Sequence, residues 1–215
     1  MERDFRLLRE ILEGWGHSVH PVHYKRIDSS IQKVDVNIFN HYQRAYNRVV
    51  AAGYQSEINW CRYMTDISDC TAERFFEQYV WCVLNAGMKE QVAAKIYARY
   101  FETQNPETIG HLGKRAAIEE GAREYAWWFE ELKTNSDKID YLQSLPWIGP
   151  ITKYHLARNI GIDCVKPDRH LVRLAKHYGF DSPLKMCEEI QRFVPYERLG
   201  TIDVILWRDC NLRGV

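Results

Sequence analysis

Apolar residues recur along most of the chain at spacings of three and four, the period of a helix with one buried face. From Arg3 to Gly14 they are Phe5, Leu7, Leu8, Ile11 and Leu12. From Asn37 to Ala52 they are Phe39, Tyr42, Tyr46, Val49 and Val50, with Gly53 closing the segment. Between these two, His17 to His23 contains Pro21 and reads as a connector. Thr71 to Asn85 is strongly apolar, with Thr71 or Asp69 as its candidate N-cap. Gly87 interrupts, and Lys89 to Thr103 follows as a second amphipathic helix. Pro106 to Gly110 predicts a turn, and Lys114 to Lys133 at least one further helix. Extended alternation is rare and Asn-Gly or Asp-Gly hairpin pairs are absent, so the pattern predicts an all-α fold. With no internal repeat, low-complexity tract or Pro/Ser-rich linker, composition marks no domain boundary.

A chain of 215 residues, 46% of them hydrophobic, has material for one compact unit or two small lobes sharing a cleft. No apolar run approaches the roughly 20 residues that cross a bilayer, and nothing at the start reads as a signal peptide. A soluble protein is expected, cytoplasmic and nucleoid-associated or, in a eukaryote, nuclear. Six scattered cysteines with no C-x-x-C pair read as small buried hydrophobes. His17, His20 and His23 invite a metal assignment, but Pro21 breaks the register that would align their rings, and no metal site is expected. The 29 basic and 29 acidic residues cancel, which argues against indiscriminate nucleic-acid binding. The distribution changes that picture: between Gln143 and His177 stand Lys153, Arg158, Lys166, Arg169, Arg173 and Lys176 against only Asp163 and Asp168.

That window also holds the most informative motif. Ser136 or Asp137 can cap a short helix carrying Ile139 and Leu142, which stops at Leu145-Pro146. A tight turn, Pro146-Trp147-Ile148-Gly149, follows, and Pro150 stands at the first position of a second helix through Ile151, Tyr154, Leu156, Ala157 and Ile160, closed by Gly161. Amide N–H groups at Gly149 and at the start of the second helix would be unpaired and, with the helix dipole, would suit a phosphate oxygen. A side chain at position 149 would block close approach of a backbone. Such contacts position a duplex without reading its sequence. Next comes Val165-Lys166-Pro167-Asp168-Arg169-His170, then Leu171, Val172, Leu174 and Ala175 at helical spacing, which makes Asp168 an N-cap. A carboxylate at that position that also faced a cleft would suit a transition state gaining positive charge on a sugar.

The string L-P-W-I-G-P-x-T followed by V-K-P-D-R-H-L-V-R resembles the helix-hairpin-helix/Gly-Pro-Asp superfamily of base-excision DNA glycosylases, which includes endonuclease III and the adenine, 8-oxoguanine and alkyl-adenine glycosylases. The likeness covers Leu142 to Arg173, including Thr152, the 19-residue step from Gly149 to Asp168, and D-x-H-x-x-R. It extends more loosely to V-L-N-A-G-M-K-E-Q at Val83 to Gln91, similar to the corner that precedes the family's DNA wedge.

The resemblance implies a helical barrel lobe over residues 67–164, with its hairpin at 138–161. Residues 1–66 and 165–215 would form a second lobe that carries Asp168 at the cleft. Asp168 would stabilise the oxocarbenium-like sugar or orient water as the base of a flipped nucleotide departs. Pro146, Trp147, Gly149, Ile151, Thr152, Lys153, Arg169 and His170 would contact DNA. A side chain among Asn85, Met88 and Lys89 would fill the vacated stack or border the base pocket, with Met88 equally suited to the core. Tyr79 and Trp81 would approach that pocket, while Trp127 and Trp128 read as core and interface.

Three departures shape the expectation. The position two residues after the hairpin glycine, a lysine nucleophile in bifunctional members, is Ile151, which implies a hydrolase without lyase activity. Lys153 is displaced roughly 200° around the helix. Trp147 stands where the family has glycine, and is expected to pack on the turn. Only Cys210 lies near the end, so no iron–sulfur cluster or other cofactor is expected. A monomer acting on double-stranded DNA in repair is thus the expectation. Two alternatives stay open: a relative acting on phage-type hypermodified pyrimidines, and a non-catalytic helix-hairpin-helix DNA-binding module in which Asp168 only caps.

Overall fold

The computed structural model describes residues 33–63 and 66–214, so the segment at Arg3–Gly14 and the histidines at 17, 20 and 23 lie outside the described residues. Apart from Lys33, the described residues belong to one compact unit, Val34–Val215. Among them every regular element is helical. There are ten α-helices: α1 Lys33–Ala51, α2 Gln55–Tyr63, α3 Ala72–Asn85, α4 Glu90–Thr103, α5 Leu112–Thr134, α6 Lys138–Ser144, α7 Thr152–Asn159, α8 Arg169–His177, α9 Pro183–Gln191 and α10 Leu199–Arg213. Two short 3₁₀ turns, Ile67–Asp69 and Pro106–Thr108, lie between them. No described helix is long and apolar enough to cross a membrane.

The helix boundaries follow local chemistry. Gly53 adopts φ +89 just after α1, a conformation that favours glycine. Thr71, rather than Asp69, caps α3: its hydroxyl accepts the Arg74 N–H at 3.2 Å, while Asp69 belongs to the preceding 3₁₀ turn. Asp137, rather than Ser136, caps α6, accepting the Asp140 N–H at 2.9 Å. Pro150 lies in the turn before α7 and not inside that helix. Even so, the Lys153 N–H reaches the Gly149 carbonyl at 3.0 Å with i to i−4 spacing, so helical hydrogen bonding begins there.

One hydrophobic cluster gathers buried residues from Cys70 to Cys164. Helix α3 is its spine, packing on α4, α5 and α7. Phe75, Tyr79, Val83 and Leu84 of α3 meet Ile118, Phe129 and Leu132 of α5 and Leu156 of α7. Gly121 lets α5 come close, because a Cβ there would lie 2.7 Å from the Tyr79 ring. All six cysteines are free and buried, as their scatter suggested.

Helix α10 packs on α2, α8 and α9 and is buried around nearly its whole circumference. Its buried charged residues are paired internally. Asp203 pairs with Arg158 at 2.8 Å, and Asp209 with Arg48 at 2.6 Å and Arg213 at 2.9 Å. Arg208 reaches Glu57 at 2.7 Å and Glu90 at 3.0 Å. Removing one partner of such a buried pair leaves a stranded charge, which costs about 3–5 kcal/mol.

Candidate functional site

Helices α6 and α7 pack against each other across the turn 145–151. The left-handed residue of this turn is Trp147, at φ +64, and not Gly149. A non-glycine side chain there costs on the order of 1 kcal/mol. The indole is packed: its ring stands edge-on to His111, 5.0 Å between centroids, and lies over Gly113, where a Cβ would sit 2.4 Å from Cζ3. It is still 43% exposed.

Tyr79 closes the turn from beneath. Its hydroxyl lies 2.8 Å from the Pro146 carbonyl and 3.1 Å from that of Ala117. This corrects the expectation that Tyr79 approaches a base pocket. It is fully buried, because the α3 face that carries it is the face packed on α5, and its polar end is consumed in holding the turn. Trp81 likewise packs on the core, edge-on to Tyr97. Trp128 is buried and Trp127 is 59% exposed.

Gly149 has a different significance. A Cβ there would meet no protein atom within 4 Å, so the fold itself does not demand glycine. Among the described residues no backbone acceptor pairs with the N–H of Gly149, Ile151 or Thr152. Unpaired donors at the start of a helix are of the kind that can accept an anion.

Asp168 caps α8, its Oδ1 accepting the N–H of His170 at 2.9 Å and of Leu171 at 3.1 Å. It also lines an open cleft of about 1120 Å³. Ile151, Thr152 and His155 contribute one wall, and Lys166, Pro167, Arg169, His170 and Val172 the wall around Asp168. The corner between α3 and α4 adds Asn85, Met88 and Lys89, and α10 adds Trp207 and Asn211. Thus Asp168, Ile151, Thr152, Arg169, His170, Asn85, Met88 and Lys89 come together on this cleft. Pro146, Trp147, Gly149, Lys153 and Tyr79 do not line it. Met88 touches the core cluster and also borders the cleft.

Lys153 departs from expectation. It is buried and its Nζ sits 2.7 Å from Asp140, because α6 and α7 pack side by side. That hydrogen bond raises its pKa, so it is held as a paired ammonium and not presented to a DNA backbone. Arg158 is also spent internally, on Asp203. Of the six basic residues in the window, Lys166 and Arg169 line the cleft. Arg173 borders a smaller adjoining hollow of about 360 Å³ with Arg169 and His170.

Several cleft features carried no sequence signal. Lys114, buried on α5, donates to the carbonyls of Leu84 and Ala86 at 2.7 Å each and pins the corner that holds Asn85 and Met88. His155 is pushed well below the ordinary histidine range by burial and then by the charges of Lys166 and Arg158, so its ring is neutral. Lys166 is also lowered, by burial and by Arg158, against the pull of Asp168 and Asp203. Both residues fall inside the basic window, but only the cleft distinguishes them from ordinary surface charges. Trp207 and Asn211 arrive on a helix with no amphipathic pattern. No family model, no curated protein and no solved structure matches the chain.

Proposed function

We propose that this protein is a DNA glycosylase that hydrolyses the N-glycosidic bond of a damaged or modified base flipped out of a duplex. One observation carries the reading: the capping carboxylate Asp168 shares a single cleft with Ile151 and Thr152 at the start of α7 and with the Asn85–Lys89 corner. Those three pieces are far apart in sequence. The resemblance predicts that they meet around an extruded nucleotide, whose glycosidic bond is out of reach inside the stack.

On this reading α6, the 145–151 turn and α7 are a helix-hairpin-helix. The open amides at Gly149, Ile151 and Thr152 hold a phosphate, which fixes the duplex without reading it. Met88 or a neighbour fills the gap left by the extruded base. Asp168 faces the sugar, where its negative charge stabilises the positive charge that develops as the base leaves. The aliphatic Ile151 supplies no amine, and Lys153 is tied to Asp140, so water attacks the sugar and base release leaves an intact abasic strand. The core of residues 70–164 and the packing of α10 on α2, α8 and α9 support the two-lobed description, with the cleft lined from both sides.

The test is direct. Duplexes carrying a panel of damaged and modified bases are incubated with the protein, and free base is measured by chromatography. Release of at least one base is the predicted result. Tight duplex binding with no release across a broad panel would favour a binding module instead.

A further inference from the structure

Two kinds of group let a protein hold a cationic ligand: an unspent carboxylate and an open aromatic face. In the cleft one residue engages both. Arg208 is buried on α10 and does not itself line the cleft. Its guanidinium donates to both carboxylate oxygens of Glu90, at 3.0 Å each, and to both of Glu57, at 2.7 and 3.0 Å. The same guanidinium lies over the Trp207 ring, 4.7 Å from its centroid, and over the Tyr54 ring at 4.3 Å. Glu90 and Trp207 both line the cleft, and Trp207 is the one Trp, Tyr or Phe among its described lining residues. Asp168, the other carboxylate of the lining, places Oδ1 on two helix N–H groups. The cations of the lining are not balanced in this way. Among the described residues no carboxylate lies within ion-pair distance of Lys89, Lys166 or Arg169.

We infer that the cleft selects an uncharged planar heterocycle and rejects a cationic one, with Trp207 as the wall against which the ring lies. That this heterocycle is the extruded base rests on the glycosylase reading. A guanidinium on one face of the indole leaves a neutral ring free to stack on the other. A second cation would sit across the indole from the first and lose the attraction that a π face normally offers it. Lys89, Lys166 and Arg169 add repulsion, which is stronger in a cleft than in open water. The same three side chains donate hydrogen bonds and accept none, so they suit carbonyl oxygens on the ligand. Asn211, one helical turn after Trp207, lines the same cleft and supplies an amide next to the ring. The substrate class is therefore an uncharged base bearing carbonyl groups, and not an N-alkylated base carrying a positive charge.

Bond chemistry alone favours the opposite order, because a cationic base departs as a neutral molecule. Faster release of the uncharged base therefore reports the protein and not the bond.

The test uses the full chain and duplexes whose target bases differ in charge with little change of shape. The pairs are 3-methylcytosine against 3-methyluracil and 1-methyladenine against 1-methylhypoxanthine, set within the wider panel of damaged and modified bases. Free base is measured in single turnover. Release confined to uncharged bases, or at least about 10-fold faster for the uncharged member of a pair, is expected. Trp207→Ala should lower that release by at least about 10-fold while binding of an undamaged duplex is kept. Arg208→Met frees Glu90 and the indole, so it should raise release of the cationic member relative to the uncharged one. That ratio does not depend on the fraction of protein folded; should Arg208→Met not fold at all, the wild-type order and Trp207→Ala decide. Equal or faster release of the cationic members, undiminished release in Trp207→Ala, or an unmoved ratio in folded Arg208→Met overturns the inference and leaves the glycosylase reading standing. No release of any base, charged or uncharged, overturns the glycosylase reading and the inference with it.

Discussion

Asp203 holds the main-chain N–H of Lys166 at 2.5 Å with one carboxylate oxygen and Arg158 at 2.8 Å with the other. This joins the loop that presents Asp168 to α7 and to the buried helix α10. Burial raises the Asp203 carboxyl to about 6, with Arg158 and the Lys166 N–H pulling it down. Asp203→Ala removes both contacts and strands the Arg158 guanidinium. A loss of about 3–5 kcal/mol in urea unfolding is expected. Asp203→Asn, which keeps an acceptor for the Lys166 N–H, should lose less. Equal stability of Asp203→Ala and wild type would show that the pair does not anchor the loop.

Tyr79→Phe tests the support beneath the turn. The substitution keeps the packed ring and leaves the Pro146 and Ala117 carbonyls without the hydroxyl. A cost of about 1–3 kcal/mol is expected. Duplex affinity should also fall, since the amides at Gly149 and Thr152 follow the turn. An unchanged denaturation midpoint would argue that the hydroxyl is dispensable.

Trp147 and Gly113 should behave as a coupled pair. In wild type, Gly113→Ala drives a methyl into the indole and should destabilise the fold. In a Trp147→Gly background the obstruction is gone, and the same Gly→Ala change within α5 should stabilise by up to about 1 kcal/mol. Additivity of the two substitutions in a double-mutant cycle would contradict the observed contact.

His41 predicts an acid-sensitive term. Burial pushes it down to about 4; Asp209 opposes this, and Arg213, Arg48 and Arg44 reinforce it. The unfolded chain ionises near 6.5, so as pH falls from about 6.5 to about 4 the unfolded state takes up a proton that the folded state refuses. Stability present above this window is lost across it, on the order of 1–2 kcal/mol after solvent screening. Asp203 acts with the opposite sign, since its folded form takes up a proton before the unfolded one. It is common to wild type and His41→Gln, so the difference between their pH profiles isolates His41. A profile with the same slope in His41→Gln would refute the assignment.

Helices with one apolar face were legible along the chain: α1, α3, α4 and α5 lie within a few residues of the segments their periodicity marked. The cap at Asp168 and the short helices flanking the turn were also legible, because capping and turn chemistry are local. Helix α10 was not, since a helix buried on nearly all sides carries no polar face to mark its period. The direction of Tyr79 depended on which face of α3 meets α5, and the fate of Lys153 on the packing of α6 against α7. The left-handed conformation of Trp147 carried no sequence signal, because glycine is the usual residue there and a packed indole occupies it here. His155 and Lys166 were visible as charges, but their role depends on a cleft assembled from four distant segments.

The central claim is that Asp168 stabilises positive charge on a sugar as its base departs, and single-turnover base release measures this most directly. Once a released base has been identified from the panel, wild type and Asp168→Asn are compared on that duplex at saturating protein. Asparagine keeps a cap oxygen for the N–H groups of His170 and Leu171, so the fold and duplex binding should persist. The account predicts a fall in the release rate of at least about 100-fold with binding retained. A release rate within a few-fold of wild type would contradict it and leave Asp168 only its capping role.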